Sequence, residues 1–498
     1  MSRVRAAALT AAASLALLGT GVLPAQADPV VVGADALSEV RPEGARVVAI
    51  TVELSEALPA DLDVPLADVT VTVGDDTRTV QDVYVTDEAR PGAPEGGGEL
   101  LYVALDPTDD AAPAVYPDEL VGEYTVTLAS PVTQDDAVLL PAFEVANRAV
   151  LTDVVDDFAA GSLTGSTGAT LNFRLFTPEG AVDGAEVPLV VFLHGGGEVG
   201  EDNVAQLTAN RGAVAFADPA WQAEHPAYVL APQLPLPADS QWEMPEIQTA
   251  LGELVDQALS LPGVDEDRVY LTGLSRGARG ALQLWPTDTD RFAAALIAAG
   301  RASQDGSTEH LAALAGLPLW ATHSVDDDVV SYVDGTLAVM EALEDAGGSV
   351  ARGSWAGDLP AAAAEAEAAN LWEEAQAAGI TTLFTTFEEG TTPVAPHFSW
   401  IPTYGNTVML EWLFAQVRQA EEPTPTPTPA PTTPEPTDPA PVPSEADEPG
   451  GVVTPPSPAR GEQLPATGAP ALATAGLVAT LVLGGALLLA ARRRGVRG

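Results

Sequence analysis

The 498-residue sequence contains no cysteine and no lysine, and only five histidines. The absence of cysteine excludes disulfide bonds, a thiol nucleophile and thiolate metal sites. Arginine supplies all 21 basic side chains against 71 Asp and Glu, so the formal net charge is −50. Such an acidic surface repels phosphate backbones, which argues against nucleic acid as a partner. The length and the 46% apolar content predict two folded domains with additional segments.

The N-terminus has the features of an export signal. Arg3 and Arg5 precede an apolar run to Leu23, and an A-x-A site ends at Ala27. This arrangement predicts a secretory signal peptide over residues 1–27, cleaved after Ala27. The alternative is a membrane anchor, which the shortness of the run and the small residues at the cleavage site disfavour.

The C-terminus carries a more specific pattern. Residues 464–498 open with LPATG, followed by an apolar stretch over 469–491 and three arginines. The stretch is long enough to span a bilayer, and the arginines favour the cytoplasmic side. The pattern resembles the LPxTG sorting signal of Gram-positive surface proteins. The resemblance implies that a sortase cleaves between Thr467 and Gly468 and joins Thr467 to peptidoglycan. The alternative is a plain membrane anchor with a chance LPATG.

Residues 421–463, upstream of the LPATG, are dominated by Pro, Thr and Glu. Proline favours extended polyproline conformations, so this segment is predicted to be a semi-rigid spacer. Between a folded unit and a wall anchor, such a spacer would act as a stalk. With the two ends, it predicts a secreted protein anchored to the cell wall of a Gram-positive bacterium, with a transient membrane segment before sorting.

The middle of the chain divides into two regions. Residues 28–148 contain alternating or apolar runs of strand length separated by Gly, Pro and Asp clusters, which predicts a small β-sandwich. Over residues 149–420, short apolar runs of the buried-strand type alternate with helical patterns. That alternation predicts an α/β domain with a mainly parallel sheet.

A G-x-S-x-G motif, Gly273 to Gly277, follows the apolar run RVYLTG. By itself the motif is weak evidence in a chain with 45 glycines. Between a strand and a helix, however, it is typical of the nucleophile elbow of α/β-hydrolases, where an acid and then a histidine follow the serine along the chain. Ser275 is therefore the candidate nucleophile, and a serine hydroxyl needs a base beside it.

Three histidines follow Ser275. His397 lies beyond the last predicted strand, TTLFTTF, which is the expected place for the base. His310 lies in a polar, helical stretch, and His323 lies at the end of a predicted strand. The acid is expected between nucleophile and base, where residues 326–328 offer three aspartates. A solvated acidic turn would show the same residues, so their position alone does not choose among them.

An HGGG sequence at residues 194–197 follows the strand-type run VPLVVFL. Glycines there let backbone N–H groups approach a substrate carbonyl. With the N–H of Arg276, the residue after the nucleophile, they would form an oxyanion hole. Gly196 is the favoured donor, with Gly197 next. We interpret His194 as structural, hydrogen-bonded to the loop backbone.

Taken in order, LHGGGEVGEDN, LAPQ, GLSRGARGA, RFAAALIAAG, THSVDDDVV and HFSW resemble secreted α/β-hydrolases of the esterase and polyhydroxybutyrate-depolymerase-like group, which is related to prolyl oligopeptidases. The acid loop of that group reads H-G-x-x-D-x-x-V. Laid on residues 323–330, it implies Asp327 as the acid. Trp242, beyond LAPQ, and Trp400, in HFSW, are candidate substrate contacts. The N-terminal block resembles the immunoglobulin-like domain that precedes the catalytic domain in one esterase subgroup.

The resemblance implies an α/β-hydrolase with a mainly parallel sheet, preceded by a small all-β immunoglobulin-like sandwich. It also implies hydrolysis of carboxylic esters through a triad of Ser275, Asp327 and His397 and an acyl-enzyme. The substrate would be a small-molecule or polymeric ester, and the mechanism needs no metal and no other cofactor.

The sequence departs from the pattern of this group in ways that bear on substrate preference. Ser324 stands where the group usually has glycine, and Arg276 and Arg279 stand where Met and an aromatic residue are more common. None of the three is a triad side chain. In addition, the segment over 351–380 is longer than an ordinary connection. It predicts either a cap over the site or a packed surface helix.

Two other functions fit parts of the sequence. One is a serine peptidase of the prolyl-oligopeptidase type, although the N-terminal block is too short for the usual propeller and shows no blade repeat. The other is a surface adhesin or binding protein with an inactive hydrolase fold, which the anchor, stalk and sandwich suggest. The full set of nucleophile, acid, base and HGGG loop favours a hydrolase.

Overall fold

The structure, a computed structural model, describes residues 30–110, 123–181 and 184–418. The predicted signal peptide, stalk and sorting signal, including Thr467 and Gly468, lie outside the described residues. Within the described ranges, no helix combines the length and apolar character needed to cross a membrane.

The described chain forms nineteen strands and eight α-helices. The strands are β1 Val31–Arg41, β2 Gly44–Leu58, β3 Val69–Val73, β4 Asp76–Arg78, β5 Val80–Thr86, β6 Gly98–Leu105, β7 Tyr124–Leu128, β8 Val132–Gln134, β9 Ala137–Leu140, β10 Phe143–Thr152, β11 Ala159–Thr164, β12 Thr170–Phe176, β13 Val187–Leu193, β14 Tyr228–Gln233, β15 Val264–Leu274, β16 Ala294–Ala298, β17 Leu319–Ser324, β18 Val350–Trp355 and β19 Thr382–Phe387. The α-helices are α1 Ala205–Thr208, α2 Pro219–Glu224, α3 Pro245–Leu259, α4 Arg276–Leu284, α5 Ala338–Asp345, α6 Ala361–Ala378, α7 Trp400–Tyr404 and α8 Thr407–Phe414. Short 3₁₀ helices cover Leu66–Asp68, Val155–Asp157, Val214–Phe216, Trp285–Thr287 and Glu309–Leu314, and a π-helical turn covers Val333–Leu337.

The N-terminal strands form a sandwich of two sheets that share one long strand. Residues 143–146 of β10 pair with β7, and residues 147–152 pair with β1, so β10 leaves one sheet and enters the other. The strand order is β4-β3-β7-β10 on one side and β10-β1-β2-β6-β5 on the other. The apolar side chains between the sheets form one core. The predicted all-β sandwich is therefore confirmed. Its last strand continues to Thr152, beyond the boundary predicted at residue 148.

The second domain, which the sequence predicts to be catalytic and which is called the catalytic domain below, is built on a nine-stranded sheet with the order β11-β12-β14-β13-β15-β16-β17-β19-β18. β12 pairs antiparallel with β11 and β14, and the strands from β14 to β18 are parallel. Every residue of β13 is buried, because helices cover both faces of the sheet. Val190 and Phe192 belong to one core and Val191 and Leu193 to the other, as the strand period of two requires. The predicted mainly parallel sheet is confirmed.

The helices divide between the two faces of this sheet. Side chains of α3, α4 and α5 pack in the core on one face, and those of α6 and α8 pack in the core on the other. The long segment over 351–380 contains β18 and α6. Leu371 of α6 and Trp355 of β18 are buried in the second core. The structure thus agrees with the surface-helix interpretation of this segment rather than with a cap.

The sandwich and the catalytic domain share an apolar core at the turn between β1 and β2. Val40 and Ala45, on either side of that turn, belong to the same buried cluster as Leu207 and Val214 of the catalytic domain. Burying these side chains together stabilises a fixed contact between the domains.

The sandwich also contains one buried cation. Arg78 of β4 is 2% exposed. Its guanidinium donates to the carbonyl oxygens of Val47 at 3.0 Å and Asp106 at 2.9 Å, and to the carboxylate of Asp109 at 3.1 Å. Removing a buried hydrogen-bonded cation leaves such acceptors without a donor and is strongly destabilising.

Arg78→Met should therefore lower the free energy of unfolding of the sandwich by about 3 kcal/mol. The measurement is urea denaturation followed by hydrogen exchange in β2 and β6. Arg90→Met is the matched control, because Arg90 forms only an exposed ion pair with Glu88 and should change stability by less than about 0.5 kcal/mol. Equal stability of the two variants would contradict the structural role of Arg78.

Candidate active site

Ser275 lies on a sharp turn between β15 and α4. Its φ of +50° and ψ of −114° lie outside the regions that non-glycine residues usually adopt. Its N–H donates to the carbonyl of Ala298, at the end of β16, over 2.9 Å. A Cβ on Gly277 would lie 1.9 Å from the carbonyl oxygen of Leu193, so only glycine lets α4 begin this close to β13. Gly277 of the motif is thus required for close packing between α4 and β13, next to the strained backbone of Ser275.

The structure brings the side chains of Ser275, Asp327 and His397 into one hydrogen-bonded chain. Nε2 of His397 lies 3.0 Å from Oγ of Ser275, and Nδ1 of His397 lies 2.7 Å from Oδ2 of Asp327. In sequence, His397 is 122 residues from Ser275 and 70 from Asp327. They meet because the three residues follow β15, β17 and β19, whose carboxyl ends lie at the same edge of the parallel sheet.

Asp327 is held as a buried anion. Its side chain is fully buried, and Oδ1 accepts the N–H groups of Val329 and Val330 at 2.9 Å each. Oδ2 accepts from His397 and also lies 3.0 Å from Nε2 of His323. Burial alone would raise the pKa of Asp327, but the hydrogen bonds from His323 and His397 outweigh it and hold this pKa well below its ordinary value.

The two neighbouring aspartates have other surroundings. Asp326 accepts the hydroxyl of Ser324 at 2.7 Å and the N–H of Gly390 at 2.9 Å, and it does not contact His397. Asp328 is exposed. Asp327 therefore differs from its two neighbours in being buried and in contacting His397. The order of residues along the chain did not distinguish the three aspartates.

The HGGG loop lies beside Ser275. A Cβ on Gly195 would lie 3.7 Å from Cβ of Ser275. Within the described part of the chain, the N–H groups of Gly196 and Gly197 have no protein acceptor. The N–H of Arg276 belongs to the first residue of α4 and has no intrahelical acceptor either. These N–H groups are the ones available to a substrate oxygen near Ser275.

His194 supports this loop from below. It is fully buried, and its Nε2 accepts the N–H of Leu234 at 2.9 Å. Nδ1 therefore carries the hydrogen, and it lies 2.7 Å from the carbonyl oxygen of Gly195. The ring fixes the backbone of the loop and does not face Ser275.

Comparison with known proteins follows the same division into domains. Residues 33–142 match the family described as esterase Ig-like N-terminal domain, and residues 181–353 match the phospholipase/carboxylesterase family. A solved structure described as a thermostable esterase is 28% identical with a TM-score of 0.66, covering 78% of this chain and all of that one. The chain is a carboxylic ester hydrolase. Ser275 and Asp327 lie inside the matched catalytic range, and His397 lies beyond it.

Two other solved structures are similar over shorter stretches. A ferulic acid esterase is 17% identical with a TM-score of 0.31, covering 39% of this hydrolase and 86% of its own chain. Est1E from Butyrivibrio proteoclasticus is 13% identical with a TM-score of 0.32, covering 51% of this hydrolase and 98% of its own chain. No curated protein matches the hydrolase.

The two unusual arginines of the elbow hold a loop of the hydrolase beside the site. Nη1 of Arg276 donates to the carbonyl oxygens of Ala238 at 3.0 Å and Ser240 at 2.8 Å. Arg279 forms an ion pair with Glu243 over 2.9 Å and a hydrogen bond with Gln241. Both side chains thus fasten residues 238–243 to α4. Sequence reasoning missed this role, although the departures at the elbow marked the two positions.

Two tryptophans predicted as substrate contacts have different roles in the structure. Trp242 is fully buried, and its Nε1 donates to the carbonyl of His194 at 3.0 Å. A ring with no exposed face cannot contact a substrate, so the prediction for Trp242 is corrected to support of the HGGG loop. Trp400 is 8% exposed and packs at right angles to the ring of His397, with the ring centroids 5.1 Å apart. Trp400 therefore contacts the ring of His397, and little of its surface is open to solvent.

The lowered pKa of Asp327 makes a prediction for stability in acid. Because this pKa is lower in the folded hydrolase than in the unfolded chain, the ionised carboxylate stabilises the fold above about pH 4. The contribution is lost as the pH falls below about 4 towards the folded-state pKa. Asp327→Asn removes this titration, so the stability advantage of the wild type should shrink between about pH 4 and pH 2.

The measurement is urea unfolding followed by tryptophan fluorescence. All eight tryptophans lie between residues 221 and 412, so the signal reports on the catalytic domain. Asp328→Asn, at the exposed neighbour, is the control and should follow the wild type. A constant difference between wild type and Asp327→Asn over this pH range would count against the buried ionised carboxylate.

Proposed function

We propose that the hydrolase cleaves carboxylic esters by nucleophilic catalysis, with Ser275 as nucleophile, His397 as general base and Asp327 as the acid that orients the base. The observation that carries the proposal is the chain of two hydrogen bonds, 3.0 Å from Ser275 Oγ to His397 Nε2 and 2.7 Å from His397 Nδ1 to Asp327 Oδ2. A serine hydroxyl becomes nucleophilic when a base so placed removes its proton.

The first half of the reaction forms an acyl-enzyme. Ser275 Oγ attacks the carbonyl carbon of the ester while His397 Nε2 takes the hydroxyl proton. The carbonyl oxygen becomes an oxyanion that accepts hydrogen bonds from the N–H groups of Gly196 and Arg276. The ionised Asp327 stabilises the imidazolium through Nδ1. The intermediate collapses, the C–O bond of the ester breaks, and His397 returns the proton to the leaving alcohol.

The second half of the reaction releases the acid. Water takes the place of the alcohol, and His397 Nε2 removes its proton as it attacks the acyl carbon. The same backbone N–H groups stabilise the second oxyanion. When this intermediate collapses, the proton on His397 passes to Ser275 Oγ, and the carboxylic acid leaves.

Ester hydrolysis is favoured over the peptidase alternative by the comparisons. The family matched by residues 181–353 is described as phospholipase/carboxylesterase, the sandwich matches a domain described as the N-terminal domain of an esterase, and the structure with 28% identity is described as an esterase. The sandwich in front of the catalytic domain also differs in kind from a propeller. Eight of its described strands pair in one continuous order and β8 and β9 form a separate pair, so the described strands show no radial repetition of blades.

We further propose that the hydrolase works outside the cell, joined to peptidoglycan through Thr467. Support comes from the sequence of both ends, which contain a signal peptide pattern, a Pro/Thr-rich stalk and the LPATG sorting pattern. Mass spectrometry of protein released from cell walls by a muralytic enzyme should find a C-terminal peptide that ends at Thr467 with a peptidoglycan fragment attached. An intact C-terminus in a membrane fraction would instead support a plain membrane anchor.

Ser275→Ala should abolish labelling by a fluorophosphonate probe and lower kcat on short-chain p-nitrophenyl esters on the order of 10⁶-fold. The reason is that no other hydroxyl lies within reach of His397 Nε2 in the described hydrogen bonds. Ser354→Ala is the control, because Ser354 is exposed on β18 and should leave labelling and turnover unchanged.

The same assays separate the alternative functions. Faster turnover of prolyl peptides than of p-nitrophenyl esters would favour the peptidase. Failure of the folded wild type to label or to turn over any ester would favour a binding protein with an inactive fold. Turnover that survives in Ser275→Ala would refute the proposed nucleophile.

A further inference from the structure

A second histidine contacts the carboxylate of the proposed triad. His323, the penultimate residue of β17, is fully buried. Its Nε2 lies 3.0 Å from Oδ2 of Asp327 and 3.0 Å from the carbonyl oxygen of Val330. Oδ2 of Asp327 therefore faces two imidazole rings, since His397 Nδ1 lies 2.7 Å from the same oxygen. The proposed mechanism gives His323 no part in proton transfer.

We propose that His323 is a positioning residue for the triad, which holds the Asp327 carboxylate and its loop in the orientation that His397 requires. The inference rests on the proposed roles of Ser275, Asp327 and His397. His323 itself has no contact with Ser275 or His397 in the described hydrogen bonds.

The proton on His323 can be located from its partners. Nε2 faces a carbonyl oxygen and an ionised carboxylate, which are both acceptors only, so Nε2 carries a hydrogen. That hydrogen lies between the carbonyl oxygen of Val330 and Oδ2 of Asp327, which are both 3.0 Å from the nitrogen and share it. On the other side, Nδ1 lies 2.7 Å from Oγ1 of Thr336, which lies 3.1 Å from the carbonyl of Gly300. The Thr336 hydroxyl can donate to Nδ1 or to the carbonyl of Gly300. In both cases the two acceptors at Nε2 still require a hydrogen on that nitrogen.

The N–H of His323 links the Asp327 carboxylate to the backbone of Val330. The carbonyl of Val330 accepts from His323, and the N–H of Val330 donates to Oδ1 of Asp327. His323 thus fixes both the loop and the oxygen that receives His397. Because the site is buried, a carboxylate that lost this partner would rotate to find another donor, and His397 would follow it.

The ring of His323 has little freedom to move. Tyr332 packs at right angles to it, with the ring centroids 5.8 Å apart. A Cβ on Gly335 would lie 3.1 Å from Cε1 of His323, so the backbone encloses the ring on that side. A side chain held in this way is suited to fix the position of another group.

The test compares a substitution that removes the donor with one that keeps it. His323→Leu removes the N–H, whereas the amide of His323→Gln can place an N–H near the position of Nε2. We expect His323→Leu to lower kcat on a p-nitrophenyl ester by about 10- to 100-fold, the cost of a small misplacement in a catalytic site. KM should stay within about twofold, since His323 does not contact substrate. His323→Gln should recover kcat to within about fivefold of wild type.

A control variant and the contrary results complete this kinetic test. His310→Leu removes a histidine that contacts Gln283 away from the triad, and it should leave kcat unchanged. Equal losses in the Leu and Gln variants, or a change confined to KM, would overturn the positioning role. So would a His323→Leu variant that keeps its kcat within about twofold of wild type, the spread expected from a substitution without effect on the site.

Nuclear magnetic resonance of the wild type can overturn the inference even if the variants fail to fold. With ¹⁵N-histidine, five imidazole rings are observed, and the His323 spectrum should show the hydrogen on Nε2. In folded variants, the Nδ1–H resonance of His397 should move in His323→Leu and return towards its wild-type position in His323→Gln. A bare Nε2 on His323 in the wild type would overturn the inference.

The two proposals fail in different ways. If Ser275→Ala still turns over ester, the proposed function is wrong, whatever the histidine spectra show. If Ser275 labels and its substitution abolishes turnover while His323→Leu has wild-type kinetics, the triad stands and only the role of His323 is wrong.

Discussion

The approach of α4 to the end of β13 is the contact on which the site depends. At Gly277 the backbone of the helix passes so close to the carbonyl oxygen of Leu193 that a single methyl group would not fit. This approach places Ser275 in a strained conformation at the head of the helix and sets the HGGG loop beside it. Ser275 and the HGGG loop therefore follow two neighbouring strands, β15 and β13, and the packing between those strands fixes the distance between them.

Around this contact, polar side chains connect neighbouring segments through hydrogen bonds and an ion pair. Arg276 and Arg279 fasten the loop over residues 238–243 to α4, and the indole N–H of Trp242 holds the carbonyl that precedes the glycines. Arg279 and Trp242 are buried with these partners, so each would be costly to leave unpaired. The loop beside Ser275 is thus held to α4 by hydrogen bonds from Arg276 and by the Arg279–Glu243 ion pair.

The carboxylate of Asp327 is also held in place by polar contacts. Asp327 is a buried carboxylate that receives backbone N–H groups on one oxygen and faces two imidazole rings on the other. Burial would neutralise an isolated carboxylate, and these donors keep it ionised. Asp327 follows β17 and His397 follows β19, so the chain itself does not hold the two side chains together. The orientation of His397 therefore depends on a carboxylate that is ionised and fixed by its own hydrogen bonds.

The sequence by itself determined the class of fold, and it predicted Ser275 as nucleophile and His397 as base. Strand-type runs and helical patterns alternate along the chain, and the order of motifs follows strand ends, so local pattern was enough for Ser275 and His397. It left the three aspartates at 326–328 open, and family resemblance rather than spacing pointed to Asp327. Only the tertiary structure shows why, because Asp327 alone among them is buried against His397. It also decided the partners of Trp242, Arg276 and His323, since these come from elements distant in sequence, and no local pattern encodes them.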